Sequence, residues 1–199
     1  RGSLARLGVA RLHGLLLHRP EDLLGDGGAG LLAGLSEAQD LGLVDRVGVS
    51  VYGPADLDAL PPTFTPGLVQ VPFSVLDRRV LDSGWLKRLE ALGAEVHARS
   101  VFLQGLLLMP VAARPPWLER WRALFAEYDS WLEISGLTPV QACLRAALSV
   151  PGIHRVVVGV DGVAQLNELV ATAGAPPVDL PEVLSTADID LLNPARWPA

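Results

Sequence analysis

Short apolar runs alternate with longer amphipathic stretches along most of this 199-residue chain. The runs HGLLLH (13–18), RVGVSV (46–51), LVQVP (68–72), AEVHARS (94–100) and HRVVVGV (154–160) lack the two-residue alternation of a half-exposed strand. Such near-continuous apolarity predicts strands covered on both faces, as in parallel sheets. Between them the spacing predicts helices. One covers GLLAGLSEAQDLG (30–42) and closes at Gly42; another covers DSGWLKRLEALG (82–93), capped by Asp82 or Ser83 and closed by Gly93. The order helix, glycine, one or two residues, strand recurs in AQDLGLVDRVGV and LEALGAEV. Repeated units of this kind predict a parallel α/β sheet, either closed as a barrel or open and doubly wound. No Gly-rich GxGxxG turn is present, which weakens the open, dinucleotide-binding version.

From Pro115 onward Trp117, Trp121, Leu124, Phe125, Tyr128, Trp131 and Leu132 fall at helical spacing, an aromatic stripe read as core. TPVQACLRAALS follows as a helix with Thr138 as N-cap and Pro139 in its first turn. VAQLNELVATAG (163–174) is a further helix. We divide the chain into residues 1–174, which carry the repeated units, and a proline-rich tail, 175–199, expected to pack on their surface.

Composition narrows the class. Half the residues are apolar and the mean hydropathy is +0.34, so the chain can build a core. No apolar run reaches the roughly 18 to 20 residues that span a bilayer. A net charge of −6 with scattered arginines argues against nucleic acid or an anionic membrane as partner. The lone Cys143 excludes an internal disulfide and a cysteine-cluster metal site, and we expect it buried and inert. Four scattered histidines predict no metal centre. Nothing at the N-terminus reads as a signal peptide, so the expected compartment is the reducing cytoplasm.

In parallel barrels the chemistry gathers at the C-terminal ends of the strands. Those ends here are His18; Ser50 with Val51 and Tyr52; Gln70; Arg99 and Ser100; Gly159 with Asp161. Each alone has a plain structural explanation, since a strand-end histidine can be satisfied by neighbours, Gln70 can bond to backbone and Ser50 can cap a turn. Their convergence points to a site.

Six segments then occur together in order: SLARLG (3–8), LLLH (15–18), VGVS (47–50), VQVPFSVLD (69–77), RSVFLQGLL (99–107) and VVVGVDGVAQLNEL (156–169). In order and spacing the chain resembles the aldo-keto reductases as far as about Ala173. The resemblance implies a (β/α)8 TIM barrel, present here as a partial barrel of about five βα units. It implies hydride transfer between NADPH or NADH and a small-molecule carbonyl substrate. His18 then corresponds to the catalytic histidine that hydrogen-bonds the carbonyl oxygen. Ser50 and Gln70 correspond to residues binding the nicotinamide carboxamide, and Ser100 lies near the cofactor phosphates. Gly159, Asp161, Gln165 and Glu168 fall in the loop and helix that hold the adenosine end. Tyr52 and Arg114 are candidate substrate contacts, Arg114 from the loop PVAARPPW (110–117).

Departures accompany the resemblance. Val51 replaces an asparagine of the carboxamide site, and Arg99 is the cofactor-binding candidate at the position where an aromatic residue stacks on the nicotinamide, since a guanidinium plane can also stack on a ring. Gln165 stands where an arginine often clamps the 2′-phosphate, Leu169 replaces an asparagine, and His13 replaces an aspartate. No residue matches the aspartate, tyrosine and lysine that complete the family's tetrad. We therefore expect the chain to be the C-terminal two-thirds of a longer reductase, inactive alone, its open edges covered by the missing segment or by a second copy. The competing expectation is a non-catalytic nucleotide-binding or assembly module. An isomerase or aldolase barrel finds no strand-end Schiff-base lysine to support it.

Overall fold

The computed structural model describes residues 1–198. A short helix α1 (Gly2–Leu7) precedes β1 (Leu12–Leu17), α2 (Gly28–Asp40) and β2 (Val44–Ser50). Next come α3 (Pro54–Asp58), β3 (Leu68–Pro72), α4 (Arg79–Asp82), α5 (Trp85–Ala91) and β4 (Glu95–Arg99). The chain continues through α6 (Arg122–Ser135), α7 (Pro139–Leu148), β5 (Arg155–Val156), α8 (Val163–Ala173) and α9 (Ile189–Leu192). The five strands pair in parallel, in chain order. Parallel neighbours require a crossover between every pair, and the intervening helices provide it.

The inner strands β3 and β4 are almost wholly buried, even though β4 (EVHAR) alternates charged or polar residues with apolar ones. Val49, Val69, Val71, Val96 and Ala98 form one cluster with Leu86 and Leu89 of α5. The sheet curls, because His13 on β1 reaches Glu95 on β4 across the intervening strands. Gly42 and Gly93 adopt left-handed conformations (φ 65° and 71°) just before β2 and β4. That geometry lets the chain reverse from helix to strand.

Three expectations are corrected. The single helix over 82–93 is two, because Gly84 turns left-handed (φ 78°) between α4 and α5; it is Gly84, not Asp82 or Ser83, that caps α5. The last strand pairs over Arg155–Val156 only, since β4 is its sole neighbour in the sheet and the chain leaves that edge after two residues. The aromatic stretch opens as a 3-10 turn (Pro116–Trp121) and becomes α-helical at Arg122, yet its side chains still face a second core. Phe125 and Tyr128 are buried there, and the tail contributes buried Leu184, Leu191 and Leu192. Arg78 pins the tail by donating to the Pro181 carbonyl.

The Thr138 hydroxyl accepts from the Gln141 amide while the Gln141 side chain accepts from the Thr138 amide, so α7 starts in a capping box. Cys143 lies fully buried on this helix, 3.4 Å from the Tyr128 hydroxyl. Burial pushes its thiol up to about 12, which leaves it protonated and unreactive at neutral pH.

Candidate functional site

Seven of the predicted residues (Tyr52, Arg99, Ser100, Gly159, Asp161, Gln165 and Glu168) line two adjoining spaces at the C-terminal ends of the strands, whereas His18, Ser50 and Gln70 line neither. His18 follows the last residue of β1 and is exposed. Ser50 ends β2 and is buried; its hydroxyl lies 3.4 Å from Oε1 of Gln70, its register partner on β3. Gln70 pairs onward with His97 of β4. Register therefore brings the two amide-binding candidates side by side, although twenty residues separate them.

The larger space, about 510 Å³, lies between the loop after β4 and the start of α8. Ser100, Gly159, Asp161, Gln165 and Glu168 all line it. The loop after β4 is tightly wound: Ser100, Leu103, Gln104 and Gly105 have φ of 63°, 46°, 53° and 85°. Left-handed conformations at three non-glycine residues in one loop are uncommon and place backbone N–H groups in unusual directions. No side chain caps the first turn of α8, so its leading N–H groups remain available next to Asp161 and Gln165.

The smaller space, about 180 Å³, is walled by Tyr52, Pro72, Arg79, Arg99 and the tail around Asn193. Arg99 extends from the end of β4. It donates to the Val51 carbonyl (3.0 Å) and the Ser100 hydroxyl (3.2 Å), and its guanidinium lies 5.0 Å from the centre of the Tyr52 ring. Arg79 is fixed by buried Asp77 through two bonds of 2.8 Å and donates to the Tyr52 carbonyl at 3.0 Å. Ser74 anchors the same turn by accepting from the amides of Leu76 and Asp77. This Asp77–Arg79 brace was not singled out from the sequence, where Asp77 is merely the end of VQVPFSVLD.

Arg114 is not brought to either space. Its guanidinium meets the Asp129 carboxylate (2.7 Å and 2.5 Å) and lies over Phe125, beside a separate apolar cavity.

At the opposite ends of the strands the structure assembles a cluster that sequence reasoning missed. Buried Glu95 meets His97 (2.7 Å) and Arg155 (2.8 Å) with one oxygen, His13 (2.8 Å) and Arg46 (3.4 Å) with the other. Among the described residues His13, Glu95 and His97 are the group whose ligand atoms lie close enough to hold a metal ion, within 4.8 Å of one another. The two arginines already neutralise the carboxylate, so the geometry is that of a charge clamp joining four strands. It also accounts for His13. Burial opposes ionisation of Glu95, but the hydrogen bonds from His97, Arg155 and His13 prevail and hold its pKa at about 2 instead of 4.5. A depressed carboxylate stabilises the fold above pH 4.5, and that contribution is lost as pH falls from 4.5 toward 2. We expect the urea midpoint of the wild type to drop across this window. Glu95→Gln should be less stable at pH 7 and flatter below pH 4.5; parallel curves for both proteins would show that no such clamp operates.

A profile of the aldo/keto reductase family matches residues 1–180. No curated protein sequence matches the chain. Among solved structures, the chain is similar to an aldo-keto reductase, AKR11C1 from Bacillus halodurans. In the holo form of that protein the TM-score is 0.70 at 20% identity, covering 89% of this chain and 60% of that one. In its apo form the TM-score is 0.72 at 20% identity, covering 92% and 63%. The thermostable aldo-keto reductase Tm1743 gives a TM-score of 0.64 at 20% identity, covering 92% and 61%. The chain thus spans about 60% of the length of these structures. Its five parallel units are a partial (β/α)8 barrel. Among the described residues no helix is long and apolar enough to cross a membrane. The match over residues 1–180 places the chain in the aldo/keto reductase family.

Proposed function

We propose that this chain is the cofactor-holding part of a nicotinamide-dependent carbonyl reductase, corresponding to the C-terminal two-thirds of the family's barrel. One observation carries the reading: five residues expected at a dinucleotide's phosphate and adenosine end line a single 510 Å³ space. The residues present fit such a group. An uncapped helix start beside a loop of left-handed residues suits a pyrophosphate. Ser50 and Gln70, paired in register, suit an amide that both donates and accepts. When bound, a reduced nicotinamide supplies hydride for a carbonyl carbon. His18 contributes an imidazole N–H for the carbonyl oxygen, where negative charge develops. Proton delivery belongs to tetrad partners in the βα units of the family fold that this chain does not cover. By itself the chain then binds cofactor without turning over an aldehyde. The exposed β1 edge is covered in the working protein by those units or by a second copy.

The charge of the larger space favours NADH over NADPH. Asp161 and Glu168 line it, Gln165 stands at the start of α8, and no lysine or arginine is among its lining residues. A 2′-phosphate would meet carboxylates, whereas free ribose hydroxyls can donate to them. We expect NADH to bind at least about tenfold more tightly than NADPH, a difference of roughly 1.4 kcal/mol. Glu168→Arg should narrow or reverse that ratio. Equal affinities unaffected by the substitution would refute this placement of the adenosine end, and fluorescence titration of both cofactors decides it.

A further inference from the structure

The smaller space holds a charge, Arg99, where the reductase reading calls only for a flat group beside the nicotinamide. Among the described residues no carboxylate lies within ion-pair distance of Arg99, and nearby Asp77 is already engaged at both oxygens by Arg79. Arg99 is half-buried, and burial pulls its guanidinium below the ordinary value. Holding a partly desolvated cation without a counter-charge is costly. The structure nevertheless positions it firmly, with a carbonyl, a hydroxyl and an aromatic ring on three sides. Pro72 and Leu192 give the space apolar walls, while Gln104 and Asn193 add polar groups. A pre-aligned guanidinium at one end of an apolar cleft matches a carboxylate attached to a compact hydrocarbon body.

We propose that Arg99 anchors the carboxylate of a small acidic substrate, so that the reductase acts on carbonyl compounds carrying an acid group. The substrate assignment rests on the reductase reading; the anion subsite itself rests on Arg99 and its surroundings. The volume favours this source of negative charge over the cofactor's phosphates, because 180 Å³ suits a small acid while the adjoining 510 Å³ suits the longer ligand. Both spaces share Ser100 and Gln104, so an acid and a cofactor would lie as neighbours.

The test is calorimetric titration of the full chain with benzoate and with its uncharged isostere benzamide, each with and without NADH. We expect benzoate to bind at least about tenfold more tightly than benzamide, as a charge-assisted bidentate pair requires. Arg99→Gln should abolish the difference, and benzoate should still bind when NADH is present. If Arg99→Gln unfolds, Tyr52→Leu takes its place and should weaken benzoate severalfold by releasing the guanidinium from its stack. Equal binding of benzoate and benzamide to the wild type overturns the proposal. So does competition between benzoate and NADH with Arg99→Gln weakening NADH, since the guanidinium would then serve the cofactor's phosphates. Selective benzoate binding without any NADH binding would keep the anion subsite and overturn the reductase reading.

Discussion

Alanine at position 48 is expected to destabilise the protein by on the order of 3 kcal/mol or more, read as a large fall in the urea midpoint. Gly48 lies in β2, where the backbone of Leu68 on β3 approaches so closely that an added Cβ would overlap its carbonyl group. Backbone cannot yield as a flexible side chain can, so the strands would have to separate. The consequence reaches the site, because Ser50 lies two residues further along and owes its position beside Gln70 to this register. Gly34, on the exposed face of α2 with open space where a methyl group would go, is the control. Gly34→Ala should stabilise by about 0.5 to 1 kcal/mol through helix propensity. Similar responses at the two glycines would mean that β2 and β3 are not closely apposed.

Asp77→Ala is the second large effect, with an expected loss of about 3 to 5 kcal/mol. The Asp77 carboxylate is only 3% exposed and Arg79 18%, and the bidentate geometry excludes the loose, solvated pairing that contributes little at a surface. Removing the acid leaves a largely buried guanidinium bonded only to the Tyr52 carbonyl. That loosens the wall of the cleft which also contains Arg99. Arg79→Ala strands the carboxylate instead, so a double-mutant cycle should show strong coupling. Additive losses in thermal melts would reduce the pair to two independent contacts.

The strands were legible because each centres on valine, leucine or alanine between polar or glycine residues, and Gly42 and Gly93 marked the returns from helix to strand. The strand ends were legible for the same reason: a polar residue after such a run, as at Ser50 or Arg99, stands at the rim. What the pattern does not encode is contact between distant segments. His13 and Glu95 meet across 82 positions. Neither residue signals the other, since a histidine in an apolar strand and a glutamate at a strand start are common separately. Gly84 was hidden by an otherwise continuous helical periodicity, and only its backbone conformation reveals the break. The extent of β5 follows from its pairing with β4 over Arg155–Val156 alone, which no property of HRVVVGV expresses. Arg114 was read as a substrate contact because a loop arginine is chemically capable of one; Asp129, fifteen residues later, engages it.

On the proposed function the strand-end face holds a nicotinamide cofactor with its amide at Ser50 and Gln70. The most direct measurement is a fluorescence titration of NADH with the wild-type chain and with Gln70→Leu. The expected result is saturation at one cofactor per chain for the wild type, and affinity weakened about tenfold in the variant by loss of the amide's hydrogen bonds. No saturation up to millimolar concentration, or a Gln70→Leu variant that binds as tightly as the wild type, would contradict it.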